Sequence, residues 1–390
     1  MEKNFVRIQV RSGGKLIRKR FLVNLLLVFF SILLIGAGGE VSLRCLRDRD
    51  KLKSYEGYPQ GFFCKPDPLF GWIGKPGVGG KYEFALADMA AMHIQMNLEG
   101  FWDDRHKIVK PRNAKRILFL GDSFTIGYGI NRPSRFTDRI KEALPDNYEV
   151  INMGMWGYGT DQEFLVLKEK ALKYMPDIVG LVLFLDDLYT TNVFSVNGGE
   201  FIKPKFVLEQ DGSLNLTNIP VPHNHTRSLF YNFIVSRFYH LRNIVKVGRS
   251  FCRRDWFSIF DRRFYKENLH VLTLRLISEI HSLVQEKGMK FFLVIVPFKD
   301  QVLVPDAAFQ TRFRSGGMPG TCIEKLLPQK VIGSFARMEK MPVLDLYPCF
   351  QKHAKGAPLF FKQDIHWTGR GHQLAADEIL KFLRSVHYVE

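Results

Sequence analysis

Three side chains at two distant places in the chain could together cleave or move an acyl group. Ser123 lies in RILFLGDSFTIGYG (116–129), directly after a run suited to a strand. A serine hydroxyl is a weak nucleophile until a base takes its proton. The candidate base is His366 in DIHWTGRGH (364–372), with Asp364 two residues before it. In an extended segment, residues i and i+2 point the same way. The carboxylate could therefore hold the imidazole tautomer and stabilise its protonated form. Gly121 would let the chain turn tightly, and a following helix would offer backbone N–H groups near the serine oxygen. A plainer arrangement fits the same spacing: Asp364 or Thr368 caps a helix, and His366 lies on the surface. Spacing alone leaves both open.

Other chemistries fit less well. Gly121 is not followed by the Lys-Ser/Thr pair of a phosphate-binding loop. GDSFTIG lacks the glycine spacing of a dinucleotide fingerprint, and there is no G-x-S-x-G elbow. His223 and His225 share one face of an extended segment, but no third metal ligand accompanies them. The five cysteines, Cys45, Cys64, Cys252, Cys322 and Cys349, match no close-packed metal spacing, and their pairing cannot be read from sequence. The net charge of +17 admits anionic partners, yet no finger spacing, RNA-binding motif or dense basic block points to nucleic acid.

The elements that must position Ser123 and His366 form a regular series. Strand-like runs fall at 116–120, 148–153, 178–185, 290–296 and 342–347. Several are continuously apolar, as strands covered on both faces are. Helical patterns separate them at 133–144, 161–174, 268–287 and about 321–339, and a last helix spans 370–386. This alternation predicts a three-layer α/β/α, flavodoxin-like parallel sheet of about five strands. Ligands in such sheets bind beyond the C-terminal strand ends. Residues 188–265 break the rhythm with turn-rich stretches and an amphipathic run, SLFYNFIVSRFYHLRNIV, and read as an insertion. The stretch 85–112 has weak periodicity and receives no assignment.

Residues 21–38, FLVNLLLVFFSILLIGAG, are apolar over about the length of one membrane crossing. Seven basic residues and one acid precede them. The reading is a basic cytoplasmic tail (1–20), a single-pass transmembrane helix (21–39), a tether and lead-in (40–114) and an α/β domain (115–390) outside the cytoplasm. A cleaved signal peptide is the rival, although no clear cleavage site follows.

Four ordered blocks carry a resemblance. GDSFTIGYG, INMGMWGYGT (151–160), LFLDDLYTTN (183–192) and DIHWTGRGH resemble the first, second, third and fifth blocks of the SGNH, or GDSL-type, hydrolases, in the form of their membrane-attached bacterial branch. The resemblance spans about 115–385. It implies the SGNH hydrolase fold, with Ser123 as nucleophile, His366 as base and Asp364 as its orienting partner. It also implies an oxyanion hole made by the serine N–H, the N–H of Gly154 and a third-block Asn side chain.

The third block departs from that pattern, because Asp186 stands in the Asn place. An amide donates to a developing oxyanion, whereas an ionised carboxylate repels it. Three resolutions stay open. Asp186 is protonated; or it turns away while Asn192 or a backbone N–H serves; or hydrolysis is lost and binding kept. Asp187 is expected to brace the loop, and His372 to pack in the last helix. Trp156, Tyr158 and Trp367 could line a pocket or simply pack. The expected function is a serine esterase or O-acyltransferase acting on ester-linked acyl groups of a cell-envelope glycan or lipid, without a cofactor. The alternative is an impaired relative that binds glycan or assists envelope assembly proteins.

Overall fold

The computed structural model describes residues 23–31, 34–39, 41–42, 63–84, 86, 88–193, 195–196, 201–222, 256–315 and 323–390. The chain divides into two compact units, 1–57 with 224–249 and 58–223 with 250–390. The amphipathic run at 228–245, His223, His225, Cys45, Cys252 and Cys322 lie outside the described residues.

The expected membrane anchor needs correction. Among the described residues no helix is long and apolar enough to cross a membrane. The described helical residues at the N-terminus are 23–31, 34–39 and 41–42. The transmembrane helix, the membrane as a partner, and the single-pass placement with an outward-facing domain are therefore withdrawn.

The second unit is built on five parallel strands: β1 Lys115–Gly121, β2 Tyr148–Gly154, β3 Ile178–Phe184, β4 Lys290–Val296 and β5 Val343–Asp345. Their order is β5-β4-β3-β1-β2, as in flavodoxin-like sheets. The central strand β3, IVGLVLF, is apolar throughout because both its faces are covered, and all seven of its residues are buried. The covering helices are α1 Phe136–Ala143, α2 Thr160–Val166, α3 Val271–Glu286, α4 Leu327–Met338 and α5 Gly369–Ser385. The chain steps one way from β1 to β2 and the opposite way thereafter. Right-handed crossovers then put α1 on one face and α2, α3 and α4 on the other. The last helix, α5, packs on α1.

β1 lies between β2 and β3, where the direction of winding reverses. The loops leaving β1, β2 and β3 therefore open a crevice at that end of the sheet, the usual ligand position in this architecture. Two antiparallel hairpins precede β1: Cys64–Asp67 with Gly71–Gly74, and Gly79–Tyr82 with Met92–Gln95. The first is hooked onto the loop after β2. Trp72 Nε1 donates to the Trp156 carbonyl at 2.9 Å, the Tyr158 hydroxyl donates to the Trp72 carbonyl, and Gln162 Nε2 donates to the Phe70 carbonyl at 2.7 Å. Another hairpin, Lys205–Leu208 with Leu214–Thr217, lies in the predicted insertion.

Candidate active site

β1 delivers Ser123 to the crevice. Gly121 ends the strand at φ +156, and a Cβ there would meet Thr125 Oγ1 at 2.1 Å, so this turn admits only glycine. Ser123 then opens a single helical turn, Ser123–Ile126, capped by Asp122, whose carboxylate accepts the Phe124 N–H at 2.8 Å. From below, Asn152 of β2 braces the turn. Its Nδ2 donates to the Thr125 carbonyl at 2.6 Å and to Thr137 Oγ1 at 2.9 Å. Gly154 passes close beneath: a Cβ on it would lie 2.5 Å from the Ile126 nitrogen.

The loop before α5 supplies the partner. His366 Nε2 lies 2.7 Å from Ser123 Oγ, and His366 Nδ1 lies 2.5 Å from Asp364 Oδ1. The same carboxylate oxygen accepts the His366 backbone N–H at 2.8 Å, so Asp364 holds both the ring and the backbone of the histidine. The structure thus brings together Ser123, His366 and Asp364 across more than two hundred residues of chain. Burial pushes the Asp364 carboxyl up, but the hydrogen bonds and charge of His366, with the Lys299 ammonium, outweigh it and leave the group below the ordinary carboxylate range. Lys299 fixes the loop itself, donating to the carbonyls of Phe361, Lys362 and Asp364 at 2.6, 2.9 and 3.1 Å. The plainer arrangement survives only in Thr368, whose hydroxyl caps α5 by accepting the Gly371 N–H at 3.3 Å.

Gly154 is placed differently from expectation. Its N–H donates to Asn152 Oδ1 at 2.9 Å, so the donor is already used within β2. One turn later stands Gly157, at φ +69 and partly exposed. Among the described residues the N–H groups of Gly157 and Ser123 have no protein acceptor. The repeated glycines of MWGYG were the available signal, but sequence alone could not say which N–H the strand consumes.

Asp186 follows β3 and heads the short turn Asp187–Thr190, from which its carboxyl takes no capping hydrogen bond. Asn192 is committed elsewhere: its amide donates to the carbonyls of Leu188 and Leu269 at 2.9 and 2.6 Å. Asp187 does brace the loop. It is buried, with the hydroxyls of Thr160 and Thr190 at 3.5 and 3.4 Å from its carboxylate. Trp367 is fully buried against Phe124, Phe136 and Phe350, so it belongs to the core and not to a pocket wall. His372 packs in parallel with Phe136 and accepts the Phe136 N–H at 3.3 Å. Burial, then the charges of Arg135, His366 and Arg139, hold it well below the ordinary histidine range and therefore neutral.

Residues 251–390 match the family described as "SGNH hydrolase-like domain, acetyltransferase AlgX". The matched stretch holds β4, β5, Asp364 and His366, while Ser123 reaches the same site from the sheet centre. Over those residues the chain is similar to that family. No curated protein matches the chain. Among solved structures, an acetyl xylan esterase, AlAXEase, is similar at 13% identity, covering 68% of this chain and 98% of its own, with a TM-score of 0.38. A lipolytic G-D-S-L family member from Veillonella parvula gives 12%, 69%, 97% and 0.37. A catalytic mutant of Axe2, an acetylxylan esterase from Geobacillus stearothermophilus, gives 14%, 70%, 96% and 0.38. Scores this low carry nothing about substrate to this chain.

Proposed function

We propose that this chain is a serine esterase or O-acyltransferase working through an acyl-enzyme. The observation that carries the reading is the line Ser123 Oγ, His366 Nε2, His366 Nδ1 and Asp364 Oδ1, with 2.7 and 2.5 Å at its two junctions. Ser123 Oγ attacks the ester carbonyl while His366 Nε2 takes its proton. Asp364 keeps Nδ1 protonated in the resting state and stabilises the imidazolium as it forms. The developing oxyanion is held by the N–H groups of Ser123 and Gly157. His366 then passes its proton to the leaving alcohol, and the acyl group stays on Ser123. A water molecule activated by His366 releases the acid; a sugar hydroxyl in the same place receives the acyl group instead.

The match of 251–390 to a family named for an acetyltransferase supports a small acyl group such as acetyl. The excess of 56 basic over 39 acidic residues suits an acidic glycan as its carrier, with lipid esters the next candidate. The rival reading, a binding protein without turnover, draws on Asp186 alone, and the assembled hydroxyl, imidazole and carboxylate weigh against it. Labelling with a fluorophosphonate tests the choice. The reading expects one covalent adduct on Ser123, lost in Ser123→Ala, together with loss of ester turnover in that variant. Turnover that survives Ser123→Ala would refute it.

A further inference from the structure

The helix that carries Ser123 is a single turn, so the carbonyls near its end find no later N–H of their own helix. Two side chains supply donors instead. Asn152 Nδ2 reaches the Thr125 carbonyl at 2.6 Å, and Arg135 Nη1 reaches the Ile126 carbonyl at 3.4 Å. The stem of Arg135 also lies against Gly127, which closes the turn at φ +88. A Cβ on that glycine would meet Arg135 Cδ at 2.9 Å.

Both braces lead back to one carboxylate, that of Asp103, in the lead-in before β1. Its Oδ2 accepts the Asn152 backbone N–H at 2.9 Å, a donor no strand takes because β2 is the edge of the sheet. Its Oδ1 accepts Arg135 Nη2 at 3.1 Å. His106 Nε2 lies 2.9 Å from Oδ2, and Arg132 Nη2 lies 3.4 Å from Oδ1. The side chains of Asp103 and Arg135 are only 4% and 1% exposed. Arg135 donates further to the Trp102 carbonyl at 2.7 Å and to Asp138 at 2.5 Å. A guanidinium held between two carboxylates and two carbonyls has little freedom, because its donors lie in one rigid plane. Burial pushes the Asp103 carboxyl up, but the His106 hydrogen bond and the charges of Arg135, His106 and Arg132 outweigh it and leave it below the ordinary carboxylate range. Asp103 is thus an acceptor only, as the donors around it require.

We propose that Asp103 is a positioning residue for the reaction: one buried carboxylate seats Asn152 and Arg135 together, and through them sets where Ser123 Oγ stands relative to His366. This rests on the serine mechanism above. Asp103 acts through the two braces and not on the reacting atoms. A misplacement of about 1 Å can cost about 10²-fold in rate, so the seating of this turn matters to turnover. The residues concerned, FWDDRH at 101–106, precede β1 and lie outside the matched stretch 251–390.

The test uses the full chain with Asp103→Asn, Asn152→Ala and the double variant. Three quantities are read on folded protein: kcat and KM for p-nitrophenyl acetate, the fluorophosphonate labelling rate at Ser123, and hydrogen exchange across residues 122–128. Asp103→Asn keeps the shape but leaves one acceptor oxygen, so it cannot hold Asn152 and Arg135 at once. It should lower kcat and labelling about 10- to 10²-fold with KM little changed, and exchange across the turn should quicken. The double variant should lose less than the product of the two single losses, because the two residues act in one chain of contacts. Wild-type kcat and exchange in Asp103→Asn, even with lowered stability, would overturn the proposal; so would losses that simply multiply. Should Asp103→Asn not fold, Arg135→Lys keeps the buried charge but lacks the fork that reaches both Asp103 and the turn. The same fall in kcat and the same faster exchange are expected of it, and wild-type values would overturn the proposal. Wild type that is neither labelled nor active would refute the serine mechanism instead, and exchange across 122–128 would still judge the brace.

Discussion

The imidazole of His366 lies obliquely on the phenol ring of Tyr128, with centroids 4.4 Å apart and planes inclined at 40°. The ring of Phe124 sits 4.9 Å from the same imidazole. The two aromatics limit how the histidine can swing, while Asp364 sets its tautomer. Tyr128→Ala should therefore lower kcat by about 10- to 10²-fold through misplacement of the base, with KM little changed. Steady-state kinetics on an activated ester would check this. A change confined to KM would show that Tyr128 touches substrate and does not hold His366.

Asn152 is buried with both amide hydrogens and its carbonyl oxygen engaged. Asn152→Ala strands the Thr125 carbonyl and the Gly154 N–H in a dry interior. Each unsatisfied group costs about 1–3 kcal/mol. Denaturant unfolding should show a loss of several kcal/mol, and activity should fall as the turn carrying Ser123 loosens. Full stability in Asn152→Ala would mean that the turn stands without this brace.

Trp367 adjoins the base in sequence but packs into the core at 0% exposure. Trp367→Ala should cost about 3–5 kcal/mol of stability, as truncation of a buried aromatic does. A midpoint close to wild type in chemical denaturation would place the ring at the surface instead.

Glu163 gives a pH signature. Its folded-state pKa is raised by burial and by neighbouring acids, so the native chain holds a proton there that the unfolded chain releases above about 4.3. The sign follows from linkage. Below the unfolded value both states are protonated and the group is neutral in effect. As pH climbs from there toward the folded value, the unfolded state is favoured by about 1.4 kcal/mol per pH unit. Glu163→Gln should thus stabilise the protein more in neutral than in acidic buffer, measured by thermal or urea unfolding. An equal shift at both pH values would rule out a buried proton on Glu163.

Much of the sheet could be read from residue order alone, for a physical reason. Strands covered on both faces need unbroken apolar runs, and 148–153, 178–185 and 290–296 became β2, β3 and β4 within a residue or two. The run predicted as a helix over 161–174 begins at Thr160 but passes through a wider turn, Leu167–Ala171, and a tighter one, Leu172–Tyr174. Periodicity does not see such changes of pitch. Ser123, His366 and Asp364 were visible because reactive types stand at the ends of predicted strands and before a predicted helix. Glu163 and Lys203 were not, since nothing in their spacing announces burial. Gly154 was named because a motif shows where glycines are, not that the Asn152 side chain engages this N–H. The run at 21–38 is apolar in composition, yet among the described residues no helix is long and apolar enough to cross a membrane.

The first hairpin carries a practical consequence for anyone dissecting this chain. Trp72 and Phe70 grip the loop that bears Gly157, yet both belong to sequence that precedes β1. A fragment trimmed to begin at Lys115 would retain Ser123, His366 and Asp364 and still lose the clamp on the loop proposed to offer an oxyanion donor. Any excised catalytic piece should begin before Phe63, where that clamp starts.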